Sequence, residues 1–97
     1  MTIARHYVMH ALEGHEAALE TALADVAQSI RDIPGNEGIE LLRDLGNARR
    51  FIFIEKWESV EAHKGAADHM TQDALVHVMA AMDGPPEGAY LDYLKTI

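Results

Sequence analysis

Residues 50–62 join a strand-like apolar run directly to a helix start, and this segment most constrains the fold. It reads Arg-Phe-Ile-Phe-Ile-Glu-Lys-Trp-Glu-Ser-Val-Glu-Ala. Because side chains alternate along a strand, one side carries Phe51, Phe53, Glu55 and Trp57. The other side carries Ile52, Ile54 and Lys56. Both sides are at least half apolar, so we predict a central strand that is covered on both sides.

A broken helical segment follows this strand. Ser59 is suited to cap a helix, and Glu61 would lie in its first turn, where the helix dipole favours a negative charge. The helix is predicted to run to about Ala67, with a break near residues 68–71. A second piece follows, with four apolar side chains on one face: Leu75, Val78, Met79 and Met82.

The rest of the chain alternates between strand and helix patterns. Strands are predicted over residues 3–12, 38–45 and 89–97, and a helix over residues 15–33 that Pro34-Gly35 ends. Gly46-Asn47 is a turn signal between the second and third strands. The order βαββαβ predicts an α+β, ferredoxin-like split-βαβ fold, with a four-stranded antiparallel sheet and both helical segments on one face.

Length and charge exclude several classes of protein. A chain of 97 residues predicts one domain, spanning residues 1–97. Sixteen acidic and eight basic residues give a net charge of −8, the wrong sign for nucleic acid or an anionic membrane surface. There is no cysteine for disulfides or thiolate metal sites. No apolar run approaches bilayer length and no leader pattern is present, so we predict a cytoplasmic protein.

One face of the predicted sheet has no helix to cover it. Val8 of the first strand and Ile52 and Ile54 of the third would lie on this face. Since most soluble oligomers are symmetric homodimers, the sequence predicts a homodimer that forms through the uncovered sheet face.

Several of these segments resemble the antibiotic biosynthesis monooxygenase-like family of the dimeric α+β barrel group. The matching features are the Pro34-Gly35 stop before a strand, the Phe51 to Ser59 block, the Glu61-Ala62 pair and the Pro85-Pro86 break. The resemblance implies paired sheets and a cavity between helices and sheet. It also implies that an electron-rich phenol, quinol or polyketide reacts there with dioxygen without a metal, flavin or other cofactor.

The resemblance also suggests site residues. Trp57 matches the family's motif tryptophan, while His63, His77 and Tyr7 match polar positions facing the cavity. Strand parity independently directs Tyr7, Glu55 and Trp57 to one side, and Phe53 shares it. A histidine has a pKa suited to deprotonating a phenol near neutral pH, so His63 and His77 are the candidate bases. We predict that the substrate contacts Trp57, Tyr7, Glu55, Phe53 and Met79.

Other interpretations stay open at this point. Glu55 would form a structural ion pair if Arg5, which shares its parity, lies beside it. A haem-binding member of the same fold would use His77 as axial ligand. A non-catalytic homodimer that binds a small molecule would be favoured if methionine and leucine side chains filled the cavity. The histidine spacings give only a weak metal signal, so no metal is predicted.

Overall fold

The chain folds as one four-stranded antiparallel sheet with helices on one side. The computed structural model describes residues 2–70 and 72–97, and Thr71, in the predicted helix break, lies outside them. The elements in order are β1 (Ile3–His10), α1 (Glu16–Ile30), β2 (Asn36–Asp44), β3 (Asn47–Trp57), α2 (Val60–Gly65), a 3-10 turn (Ala66–His69), α3 (Gln72–Ala81) and β4 (Glu87–Asp92). The strand order is β2-β3-β1-β4. This confirms the predicted ferredoxin-like α+β fold.

The alternation predicted for β3 is present in the structure. Its buried side chains are Phe51, Phe53, Glu55 and Trp57. The residues between them, Ile52, Ile54 and Lys56, are half-buried on the opposite face of the sheet. The helices therefore cover the aromatic face, and the face that carries the isoleucines has no covering element within the described chain.

Helix α1 packs along α3 and over the sheet, with an apolar stripe that faces inward. The buried residues of this stripe are Leu19, Ala22, Leu23, Val26 and Ile30. The helix ends three residues earlier than predicted, since the residue before a proline avoids the α conformation. Ile33 still reaches the core, through a turn in which its N–H donates to the Ile30 carbonyl at 3.1 Å.

The last strand is shorter than predicted. β4 ends at Asp92, which pairs with Ile3 at the start of β1. Because β1 offers no further partner beyond Ile3, residues 93–97 have no strand to pair with and adopt no regular structure. Two of them, Leu94 and Ile97, are almost fully exposed.

None of the helices in the described chain combines bilayer-spanning length with an apolar composition.

Candidate functional site

A cavity of about 810 Å³ lies between the helices and the aromatic face of the sheet. Its walls come from β1, β3, α1, α2, the 3-10 turn, α3 and the loop that follows α3. Six of the seven predicted site residues line it: Tyr7, Phe53, Glu55, Trp57, His63 and Met79. Met70, Leu75 and Met82 also line it without filling it. The volume falls within the range of small-molecule sites.

Most of the cavity wall is apolar and rigid. Trp57 is 0% exposed and Phe53 is 1% exposed, so both rings are held by the core. Met79 is 72% exposed and lines the same cavity, which places it on the solvent-facing rim. A ligand entering past the methionine would therefore meet an increasingly aromatic interior.

The polar groups of the cavity meet at His63. Tyr7 Oη lies 3.1 Å from His63 Nε2, and Glu55 Oε1 lies 3.7 Å from the same nitrogen. The Trp57 indole N–H donates to Glu55 Oε1 at 2.9 Å. The indole and imidazole rings meet edge to face, with centroids 5.8 Å apart. The cavity therefore has one polar end, built from a phenol, an imidazole and a carboxyl group.

Local sequence explains why His63 points into this end. Ser59 caps α2 as predicted, since its Oγ accepts from the Ala62 N–H at 3.1 Å. The cap fixes the first turn of α2 directly after β3, so His63 comes to lie above the end of that strand. Its side chain is 18% exposed.

Burial shifts the pKa of each polar group toward the neutral form. The pKa of His63 is lowered by burial and, further, by the charges of Arg5 and Lys64. The pKa of Glu55 is raised by burial, which the Trp57 hydrogen bond and Arg5 partly offset. Burial also raises the pKa of the Tyr7 phenol. A neutral imidazole next to a buried phenol and carboxyl group is suited to accept and pass on a proton.

Tyr90 of β4 also contacts His63, and the sequence patterns gave no indication of it. Its hydroxyl lies 2.7 Å from His63 Nδ1, on the opposite side of the ring from Tyr7. Arg5 does not form the ion pair with Glu55 that strand parity allowed. Although β1 and β3 place these two residues opposite each other, the Arg5 guanidinium lies over the Tyr7 and Tyr90 rings, at 4.8 and 4.3 Å from their centroids.

His77 does not line the cavity, so the prediction that it faces the same site is wrong. It is exposed and lies in a separate, more open groove between α1 and α3. Helical geometry gives the reason: Val78 and Met79 point toward the cavity, and His77 is rotated by about 100° and 200° from them. Within residues 2–70 and 72–97, no three side chains of the His, Cys, Asp or Glu type cluster as metal ligands would.

Comparisons with known proteins agree on the fold. A family model described as "Antibiotic biosynthesis monooxygenase" matches residues 2–78. None of the curated protein sequences matches the chain.

Solved structures match over nearly the full length. SnoaB, described as a cofactor-independent oxygenase from Streptomyces nogalater and solved as a point mutant, is 19% identical, with a TM-score of 0.83 and coverage of 99% of this chain and 96% of that one. A Bordetella bronchiseptica protein that carries the family name is 21% identical, with a TM-score of 0.84 and coverage of 97% and 98%. Rv0793 from Mycobacterium tuberculosis is 16% identical, with a TM-score of 0.80 and coverage of 99% and 98%. At these identities the likeness concerns the fold.

Proposed function

Since the chain belongs to the antibiotic biosynthesis monooxygenase family, we propose that it oxygenates an electron-rich aromatic substrate without a cofactor. The observation that carries this proposal is the junction of Tyr7, Glu55 and His63 at one end of an otherwise apolar cavity. SnoaB, the similar structure described as a cofactor-independent oxygenase, supports the same reaction class. The substrate class is a phenol, a hydroquinone or a related polyketide.

The shape of the cavity supports an apolar, polycyclic ligand with one ionisable group. Such a ligand would place its rings against Phe53 and Trp57, which are fully buried, and its acidic hydroxyl or methylene group at His63. The apolar wall of the cavity disfavours a ligand that is already anionic when it binds, because the charge would lose its hydration. The ligand is therefore taken up neutral and ionised within the site.

His63 acts as the base in the proposed reaction. Its lowered pKa keeps it neutral near pH 7, so it is ready to accept a proton. A substrate methylene group activated by neighbouring rings loses one proton to His63, and the carbanion combines with dioxygen to give a peroxide anion. Protonated His63 returns the proton to this anion, which gives the hydroperoxide. Loss of water then leaves a ketone. One oxygen atom enters the product and the other leaves as water, so the substrate supplies all four electrons.

Oxygen uptake tests the proposal directly. We expect a panel of anthrones and hydroquinones to include at least one compound that is consumed faster with the protein than without it. Removing a general base typically costs about 10²- to 10⁴-fold, so His63→Gln should lower that rate to this extent. His77→Gln is the matched control and should retain the rate, because His77 lies outside the cavity. Uptake at the uncatalysed rate with every compound would contradict the proposal.

In this structure the haem interpretation has no axial histidine at the position it requires. His77, the proposed axial ligand, does not line the cavity in which a macrocycle would sit. A cavity filled by methionine and leucine side chains would have favoured a non-catalytic dimer. In the structure the cavity is instead open to a ligand, and its lining includes these side chains: Met70, Leu75, Met79 and Met82.

We further propose that two copies pair through the uncovered sheet face. Its apolar residues are Val8, Leu42, Ile52, Ile54 and Leu91. Leu42 and Leu91 are 47% and 46% exposed, which is unusual for large apolar side chains on one face of a sheet. Residence in the cytoplasm stays a prediction of the sequence.

A further inference from the structure

We propose that Tyr90 is a positioning residue that fixes the tautomer of His63, with the proton on Nδ1 and an unprotonated Nε2 that accepts from the Tyr7 hydroxyl at the cavity. The inference rests on the proposed role of His63 as the base. Tyr90 does not line the cavity, and it lies beyond residues 2–78, which the family model matches. It therefore acts on the substrate only through the imidazole.

Both nitrogens of His63 have a tyrosine hydroxyl as partner. Tyr7 of β1 lies 3.1 Å from Nε2, and Tyr90 of β4 lies 2.7 Å from Nδ1. A neutral imidazole carries one N–H donor and one acceptor nitrogen. One tyrosine must therefore accept from the ring and the other must donate to it. Which of them donates decides whether Nε2 is unprotonated, as a base requires, or already carries the proton.

Solvent access decides between the two arrangements. Tyr7 is half-buried and lies next to the Arg5 guanidinium, which can only donate, so among the described residues His63 Nε2 is the acceptor found for its O–H. Its O–H is thus satisfied by donating to Nε2. Tyr90 is 37% exposed, so its O–H can donate to water while its oxygen accepts from Nδ1–H. This arrangement satisfies both hydroxyl protons without a water in the cavity, and it leaves Nε2 unprotonated.

Besides the Tyr7 oxygen, the acceptor that the described residues place nearest to Nε2 is the Glu55 carboxyl group, and it is too distant. Glu55 Oε1 lies 3.7 Å from Nε2, beyond hydrogen-bond range, and it already accepts from the Trp57 indole at 2.9 Å. Once His63 takes a proton from the substrate, the same carboxyl group lies next to the new charge. The remaining charged or titratable groups near the ring are Arg5, Lys64, Tyr7 and Tyr90.

Tyr90 is held in place although β4 is an exposed edge strand. The register of β1 and β4 places Arg5 opposite Tyr90, and Tyr7 opposite Gly88. A β-carbon at Gly88 would lie 2.5 Å from Arg5 Nη2 and 3.0 Å from Arg5 Cζ. The glycine therefore leaves the space in which the guanidinium lies over both tyrosine rings, and this stacking orients the Tyr90 hydroxyl.

Tyr90→Phe tests the inference, because it keeps the ring over Arg5 and removes only the hydroxyl. Two-bond ¹H–¹⁵N correlation spectra of ¹⁵N-labelled protein above pH 7 report the tautomer of His63 without any substrate. We expect the Nδ1–H form in the wild type and a shift toward the Nε2–H form in Tyr90→Phe. Tyr93→Phe is the matched control, since Tyr93 follows β4 and does not contact His63, and it should leave the spectrum of His63 unchanged.

An activity measurement complements the spectra once a substrate has been found. Tyr90→Phe should lower kcat on the order of ten-fold and leave KM nearly unchanged, because no cavity wall is altered. A wild-type His63 in the Nε2–H form, or the same tautomer in wild type and Tyr90→Phe, would overturn the inference. A wild type without oxygen uptake would overturn the proposed function instead, and the spectra would still decide the role of Tyr90.

Discussion

At the scale of single residues, strand parity identified the sheet wall of the cavity, whereas the family resemblance misplaced one histidine. Tyr7, Phe53, Glu55 and Trp57 were predictable because alternation in a strand is a local property. The position of His77 outside the cavity could also have been predicted from the sequence. The apolar stripe that includes Val78 and Met79 marks the inward face of α3, and His77 lies off that stripe. The stripe was the stronger signal.

The contacts of Tyr90 and Arg5 could not be predicted from the sequence in the same way. Both depend on the pairing of β1 with β4, which sets Arg5 opposite Tyr90 although nearly the whole chain separates them in sequence. Register between distant strands is fixed by the packing of the whole sheet, so no local pattern reveals it. The ion pair expected between Arg5 and Glu55 gave way to stacking on two tyrosines for this reason.

Glu55→Gln gives a prediction about pH and stability. Gln keeps an oxygen that accepts from the Trp57 indole and removes a carboxyl group that is 6% exposed. Burial raises the folded-state pKa of Glu55 above its ordinary value, so the wild type loses stability as pH rises from about 4.5 through that pKa. We therefore compare the free energy of unfolding of Glu55→Gln with that of the wild type at each pH. The difference, variant minus wild type, should be more positive at pH 8 than at pH 4.

Urea denaturation of both proteins at the two pH values provides the measurement. Glu13→Gln, in the exposed loop before α1, is the control, and it should change the free energy of unfolding by no more than about 0.5 kcal/mol at either pH. A Glu55→Gln difference that is equal at both pH values would show that burial of the carboxyl group does not cost stability.

At the scale of elements, the order and type were predictable and several ends were not. Proline, glycine and the serine cap are local signals, and they located the ends of α1 and the start of α2 to within a few residues. The end of β4 was predicted wrongly, since it depends on where β1 begins and not on the apolar residues 93–97.

The junction between α1 and β2 gives a prediction at this scale. Gly35 has φ +92°, and a β-carbon there would lie 2.7 Å from the β-carbon of Ala62 in α2. Gly35→Ala should cost about 1–2 kcal/mol for the left-handed backbone, and the clash should add about 1–3 kcal/mol, because the Ala62 β-carbon moves only with its helix.

Gly14→Ala separates the two contributions. Gly14 has a similar φ of +84°, and a β-carbon added there would meet nothing within 4 Å, so this variant should show the backbone cost alone. Urea denaturation of both variants checks the prediction. Equal losses in the two variants would mean that α2 moves aside freely, and the position of His63 would then not depend on this contact.

At the scale of the whole molecule, the uncovered sheet face predicts self-association. Stable interfaces bury about 1,600 Å² in total, which one face of a four-stranded sheet can supply when two copies meet. Ile54 lies near the middle of this face, next to His6 of β1 and Glu40 of β2. Ile54→Lys would place two charges within the interface of a symmetric pair, so this variant should be monomeric where the wild type is a dimer.

Sedimentation velocity at micromolar concentration measures this outcome. Ala24→Lys, on the exposed side of α1, adds the same charge away from the sheet and should sediment like the wild type. A dimeric Ile54→Lys would show that the contact between copies lies elsewhere. A monomeric wild type would show that the sheet face forms no such contact.

The anchoring of His63 by the last strand has a consequence for synthesis. A nascent chain that has emerged as far as Pro86 already contains every residue that lines the cavity, yet it lacks the Tyr90 hydroxyl to which we assign the orientation of the imidazole. Proteolytic clipping ahead of Glu87 would remove Tyr90 together with β4 and leave every cavity-lining residue in the chain, with an imidazole that has lost its Nδ1 partner. The residues that would take up a ligand are thus synthesised before the residue that would prepare the proposed base.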